Sequence, residues 1–370
     1  MIPINHTDNI NAILNSFHKN VISTYVTKLK KISPNKLKDI DKNFSLLKTD
    51  INKSIDGNLI ENIPSIYVAK PNELRKYINY FDTNFKEEFF HLKKLKNYKT
   101  DYIKLSKKKK KSDEEKTQFE ELKNLVKQCN LLNDFLKIYF SYSSYDQWKA
   151  YELAEKLSNL SDIKVCPYCN RNYISVYSQQ HENGCTRMKF DHYYDKATYP
   201  YLALSFYNLI PSCNVCNSDL KGAKNFYEKI HIHPYEDKID NLKFKLKIED
   251  VSFINSISKD YEIDLNFDDF NNQPDLKLKV ENHNETFKIK KLYNFHKDIT
   301  NDIINKFYVY NEERINEIYN SFDGKLFNSE NEVKAMIFGP LLSDNIRPFS
   351  KLTEDIIEDL VLKNKFIDEI

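Results

Sequence analysis

Two Cys-x-x-Cys pairs, Cys166/Cys169 and Cys213/Cys216, are the residues of this chain whose spacing most directly encodes chemistry. Thiols three residues apart can reach one ion from a tight turn, and two such turns supply the four thiolates of a tetrahedral zinc. A four-thiolate site leaves no coordination position open, so its expected work is to staple a domain too small to hold itself together. The interval between the pairs is longer than a zinc ribbon needs. Inside it lies Asp191-His192, directly after an alternating segment (Arg187, Met188, Lys189, Phe190) that reads as a short strand. An aspartate offers a hard oxygen to Mg²⁺ or a similar cation, and the histidine beside it suits proton transfer near neutral pH. Successive side chains on a strand point to opposite faces, so joint use of the two requires the strand to end or bend at this dipeptide. Arg171 and Lys196 are candidates for positioning a phosphate around such a site. His233, in His-Ile-His-Pro-Tyr, has two readings: approach to a metal or phosphate, and ordinary loop packing.

The ordered set says more than the dipeptide. It runs Cys166-Pro-Tyr-Cys169, Asp191-His192, Asn208-Leu-Ile-Pro-Ser-Cys213, then Cys216-Asn217-Ser-Asp-Leu-Lys221-Gly222. Over residues 166–222 this order resembles the HNH endonuclease family of the His-Me finger (ββα-metal) superfamily, in its zinc-containing form. The resemblance implies a two-stranded ribbon followed by a short helix gripping a catalytic metal. It implies His192 as the general base that activates water, and Asp191 and Asn217 as ligands of one Mg²⁺ or Mn²⁺. Asn208 would bond within the loop and fix the imidazole. The family's third letter is often His; Asn217 departs from that pattern but keeps an oxygen ligand. Some members carry a further His where this chain has Lys221, which then reads as a phosphate contact. The implied activity is hydrolysis of nucleic-acid phosphodiesters, DNA favoured and RNA open, leaving 5′-phosphate and 3′-hydroxyl ends. The stretch 199–213, with a weaker echo in 348–356, is also similar to bacterial HNH proteins of anti-phage defence, implying an effector role alongside an ATPase partner. Two other readings stand beside the nuclease: a non-catalytic, zinc-dependent nucleic-acid-binding module, and an interaction protein whose helical half docks a partner ATPase. Homo-oligomerisation is open.

The elements that must position these residues fall into three regions. Residues 1–160 read as helical, with apolar residues at three- and four-residue spacing in Ile10 to Leu29, Leu74 to Phe89 and Phe119 to Phe140. Ser112 and Glu115 form a capping box that opens the last of these helices. Residues 161–236 change to short segments with clustered Cys, His, Asp and Asn, the candidate zinc-stapled module. In 237–370, period-two alternation in 242–248, 261–265, 276–280 and 287–289 predicts a small antiparallel sheet, and helical periodicity resumes at 297–321 and 352–364. The expected class is α+β: a helical N-terminal region, a central ββα-metal module and a mixed α/β C-terminal region.

Composition sets the frame. With 370 residues, 41% of them hydrophobic and 30% charged, the chain is long enough for proper cores. No apolar run is long enough to span a bilayer and the N-terminus lacks a signal peptide, so a cytoplasmic location without membrane contact is expected. Four of the six cysteines sit in the two pairs, which in a reducing compartment argues for metal over disulfides. The net charge of +2 does not itself announce a nucleic-acid binder, but the lysine run 107–111 ends a strongly basic stretch. Its two readings are a phosphate-neutralising patch and a solvated loop. If it meets phosphate, replacing all five lysines by Gln flattens the salt dependence of DNA binding measured by fluorescence anisotropy; an unchanged slope makes it a solvated loop.

Overall fold

The computed structural model describes residues 4, 12–13, 65–67, 69–84, 86–139, 149–160, 163–176, 188–239, 241–248, 261–267, 270, 272–322, 325–339 and 347–368. The predicted helix through Ile10 and Leu29 lies outside these residues except at 12–13, which are helical. From residue 71 to residue 160 the described helices are α1 (Pro71–Asn84), α2 (Lys86–Lys93), α3 (Leu95–Ser106), α4 (Asp113–Tyr139) and α5 (Lys149–Leu160). Their apolar spacing has the expected consequence: Leu74, Ile78 and Phe81 of α1, and Cys129, Leu132 and Leu136 of α4, are buried. The capping box forms, with Glu115 N donating to Ser112 Oγ and Ser112 N to Glu115 Oε2, both at 3.2 Å. The lysine run 107–111 is the exposed loop between α3 and α4, where Lys108 pairs with Glu115.

Strands β1 (Lys189–His192) and β2 (Leu209–Ser212) form a short antiparallel ribbon in the register Asp191↔Ile210 and His192↔Leu209. A π-helical turn, Val215–Lys221, follows. A second antiparallel ribbon pairs β3 (Lys243–Ile248) with β4 (Tyr261–Asn266). Among the described residues six α-helices follow: α6 (Pro274–Phe287), α7 (Ile289–Tyr293), α8 (Lys297–Val309), α9 (Glu312–Ser321), α10 (Glu330–Phe338) and α11 (Ser350–Asp368). The class is therefore mixed, helix-rich with small antiparallel sheets. Among the described residues no helix is long and apolar enough to cross a membrane.

One expectation is corrected. The stretch 276–280 is helical, and 287–289 is the junction of two helices at the left-handed Lys288; neither is a strand. Alternation in Leu-Lys-Leu-Lys-Val fits either period, and tertiary packing decides: Val280, His283 and Phe287 are buried at helical spacing, and Pro274 opens the helix at its first turn. The two remaining strands need their outer edges satisfied, and side chains do this. On β3, Asp355 accepts from Phe244 N at 2.9 Å and Asp359 accepts from Leu246 N at 2.8 Å. A rise of about 6 Å over four helical residues nearly matches the roughly 6.7 Å between alternate strand residues, so i,i+4 carboxylates on α11 meet i,i+2 amides. On β4, Asn294 accepts from Ile263 N and donates to Ile263 O.

The boundaries 160/161 and 236/237 mark changes of local character, not breaks in packing. One hydrophobic cluster runs from Leu74 and Phe81 through Tyr201 and Phe226 to Phe244, Tyr293 and Leu360. A smaller one gathers Ile315, Phe327, Val333, Ile337 and Phe338. Phe81 stacks on Tyr201 at 4.0 Å, and Ser205 Oγ donates to Ile66 O at 2.7 Å, joining the N-terminal helices to the middle of the chain. Asp355 is the strictest point of this framework. It is buried, and besides Phe244 N it carries the equally buried Lys351 ammonium at 2.9 Å. Asp355→Ala leaves an amide and a charge without their acceptor, so we expect a loss of about 3–5 kcal/mol of stability, read as a lower urea midpoint; a midpoint within error of wild type would remove this role.

Candidate functional site

The first knuckle is a tight turn in which Asn170 N donates to Cys166 O at 2.7 Å and Cys166 N to Asn172 O at 3.0 Å. Asn170 adopts φ 51°, a left-handed conformation that Asn accepts more readily than most residues. The second knuckle begins where β2 ends, and Asn217 N donates to Cys213 O at 3.0 Å. All four cysteines are buried, and their sulfurs lie within 4.8 Å of one another. A tetrahedral zinc with bonds of about 2.3 Å needs sulfurs roughly 3.8 Å apart, a small contraction from this geometry. Amide donors already point at the sulfurs: Arg171 N at Cys169 Sγ, 3.4 Å, Cys216 N at Cys213 Sγ, 3.5 Å, and Asn172 Nδ2 at Cys213 Sγ, 3.4 Å. Hydrogen bonds from neighbouring cysteines push the Cys213 and Cys169 thiols below their ordinary pKa, whereas burial pushes Cys166 up and hydrogen bonds from its neighbours push Cys216 up. The four residues fit a zinc ion or a metal of similar preference.

The knuckle is also bolted to the C-terminal region. His283 Nε2 donates to Tyr168 O at 3.0 Å, Tyr293 hydroxyl to Cys169 O at 2.7 Å and Phe349 N to Asn170 O at 2.7 Å. Three consecutive carbonyls of the turn are thus held from three different elements. Phe349 adopts φ 63°, a costly conformation for a bulky residue, at the point where its amide meets the knuckle.

Asp191 and His192 close β1 and serve different surroundings. Asp191 is buried; its Oδ2 accepts from the Tyr168 hydroxyl at 2.7 Å and its Oδ1 meets the Lys221 ammonium at 3.0 Å. Burial pushes the Asp191 carboxyl above its ordinary pKa, against the pull of Lys221 and Tyr168. Lys221 also donates to the His192 carbonyl at 2.7 Å and lies 4.8 Å from the centre of the Phe226 ring. The π-helical turn ends here, with Gly222 N bonded to Asn217 O at 3.1 Å and Gly222 at φ 51°.

His192 is half-buried, and its Nε2 lies 3.1 Å from Ala203 O. A carbonyl only accepts, so Nε2 carries the ring proton and the neutral imidazole keeps its lone pair on Nδ1. Burial, aided by the nearby positive charge of Lys196, pushes its pKa down to about 3. Asn208 organises the loop that supplies Ala203. Fully buried, it accepts from Tyr194 N at 2.7 Å through Oδ1 and donates from Nδ2 to Tyr194 O at 3.1 Å and Leu202 O at 2.9 Å.

Of the residues the sequence singled out, the structure gathers the four cysteines, and around β1 it gathers Asp191, His192, Asn208 and Lys221. Asn217 is half-buried on the turn between them, Arg171 is half-buried at the first knuckle, and Lys196 is half-buried near His192. One expectation is corrected. Lys221 is not a phosphate contact: its side chain is 1% exposed and its ammonium is engaged inside. Of the two readings of His233, the structure shows packing: it is buried 4.3 Å from the Tyr193 ring, and Tyr235 N donates to its Nδ1 at 3.3 Å. Sequence reasoning missed Tyr168, Phe226 and the Ala203 carbonyl. Tyr168 sits inside the first Cys-x-x-Cys as an unmarked position, and no local pattern reveals a phenol whose partner lies in a distant strand.

The metal staple makes a direct prediction. Cys213→Ser removes a thiolate from the cluster, so zinc content measured by inductively coupled plasma mass spectrometry falls and the thermal transition drops sharply or vanishes; full zinc content with an undisturbed transition would sink the staple. Compared with protein-family models, curated proteins and solved structures, the chain gives no match in any of the three.

Proposed function

We propose that the chain hydrolyses nucleic-acid phosphodiester bonds as an HNH-type endonuclease, with DNA the favoured substrate and His192 the general base. The observation that carries this reading is the His192 imidazole: neutral, oriented through Nε2 on Ala203 O, and set at the end of a ribbon that leads into a cysteine knuckle. In the proposed reaction a water oxygen attacks phosphorus, and its proton passes to His192 Nδ1. The P–O3′ bond breaks, and the departing oxygen takes a proton from solvent, leaving 5′-phosphate and 3′-hydroxyl ends. A base with so low a pKa is weak, but a phosphate anion beside the ring favours the imidazolium and raises its basicity towards the useful range. Lys196 lies near enough to act on the ring electrostatically and offers a positive charge to the phosphate. Asn208 acts through the loop as a positioning residue.

A catalytic Mg²⁺ or Mn²⁺ on Asp191 and Asn217 does not fit the arrangement, because both oxygens of the buried Asp191 are engaged and one faces an ammonium. Service in bacterial anti-phage defence beside an ATPase partner belongs to the same proposal and rests on the resemblance alone. The engaged Asp191 favours a second reading, a zinc-stapled module that binds nucleic acid without cutting it. A plasmid-nicking assay run with and without Mn²⁺ separates the two. We expect wild type to nick and His192→Ala to lose about 10²-fold or more of the rate, with zinc content unchanged. Equal cutting by both proteins would remove His192 as the base; tight DNA binding with no cutting by either would leave the second reading.

A further inference from the structure

The position beside Asp191 that a divalent cation would take already holds a charge. We infer that the Lys221 ammonium is the resident cation of this site and that it excludes Mg²⁺ and Mn²⁺ from Asp191. The setting is the site of the proposed nuclease, so the inference rests on that reading for its functional meaning, while its test reads metal binding alone.

Three features carry the inference. First, the ammonium is saturated. A lysine has three N–H donors, and Lys221 meets Asp191 Oδ1 at 3.0 Å, the His192 carbonyl at 2.7 Å and the face of Phe226 at 4.8 Å. Second, the other carboxylate oxygen already accepts from the Tyr168 hydroxyl at 2.7 Å, and the side chain is only 3% exposed. A magnesium-type ion keeps most of its waters and demands near-octahedral geometry, so it reaches this carboxylate only where the ammonium gives way. Third, Lys221 comes from a turn whose form suits the task. The i→i+5 bond from Gly222 to Asn217 and the left-handed Gly222 stop the turn with Lys221 directed inward. The result is a Tyr168–Asp191–Lys221 chain that ties the first knuckle, the end of β1 and the π-helical turn together. A second positive centre cannot share the carboxylate cheaply. A double charge about 4 Å from a single one is repelled by enough to weaken binding roughly thirtyfold even at the dielectric constant of water, and more in the interior.

The test is an electron paramagnetic resonance titration of the zinc-loaded protein with Mn²⁺, without nucleic acid. Wild type and Asp191→Asn are expected to bind Mn²⁺ equally weakly. Lys221→Met, which keeps the stem against Phe226 but removes the charge, is expected to gain one Mn²⁺ site at least about thirtyfold tighter than anything in wild type. The Asp191→Asn/Lys221→Met double variant loses that site again. A wild-type site that Asp191→Asn abolishes overturns the inference, as does a folded, zinc-retaining Lys221→Met that gains nothing. Should Lys221→Met fail to retain zinc, the comparison of wild type with Asp191→Asn decides alone. Because no cutting is measured, a failed nuclease assay leaves this result standing, and the converse holds.

Discussion

Four cysteine sulfurs converge to within 4.8 Å in the interior, and that convergence fixes where three stretches of chain must meet. The first knuckle arrives from the end of the N-terminal helices, the second from β2, and neither turn can shift without pulling sulfur out of range. The C-terminal region then reads the knuckle's position through its carbonyls, from α6, α7 and the start of α11. A metal that binds only the folded arrangement stabilises the fold by mass action, so its effect extends beyond the knuckles to every element docked on them. The single hydrophobic cluster that crosses both composition boundaries is the apolar side of the same arrangement.

From that anchor the geometry of β1 follows. Paired with β2 next to the second knuckle, β1 turns Asp191 inward and His192 to the other side. Asp191 therefore meets Tyr168 from the first knuckle and Lys221 from the turn after the second. His192 meets the Ala203 carbonyl from a loop that Asn208 clamps. Two adjacent residues end in two separate electrostatic environments: a buried ion pair that organises the scaffold, and a neutral imidazole with a defined tautomer. The proposed chemistry uses the second and leaves the first as the support that holds the strand end still.

Edges and ends show the same economy of polar groups. The β3–β4 ribbon is too small to protect its own edges, and Asp355, Asp359 and Asn294 satisfy them at matched spacing. Helix α11 consequently serves the ribbon with one turn and the knuckle with its N-terminal end, where Ser350 and Lys351 meet the Asn170 side chain. The C-terminal region is thus structurally inseparable from the cysteine cluster.

Much of this was legible in the residues themselves. The two Cys-x-x-Cys pairs required a shared ion or an empty cluster of thiols, because the spacing is local and the chemistry of sulfur is specific. Ser112 and Glu115 announced a helix start for an equally local reason. Alternation identified β3 and β4 but misread 276–280, since five residues cannot separate a period of two from one of nearly four when both place Leu276 and Val280 on a buried face. The sequence by itself determined which groups are capable of chemistry and their order along the chain. Only the tertiary structure decided what each of them faces: that Lys221 turns inward to Asp191 rather than outward to phosphate, that His233 packs beneath Tyr193, and that a phenol from the first knuckle closes the ion pair. Those outcomes depend on charges and rings brought together from positions far apart in the chain, where burial raises the strength of each pairing, and no local pattern carries that information.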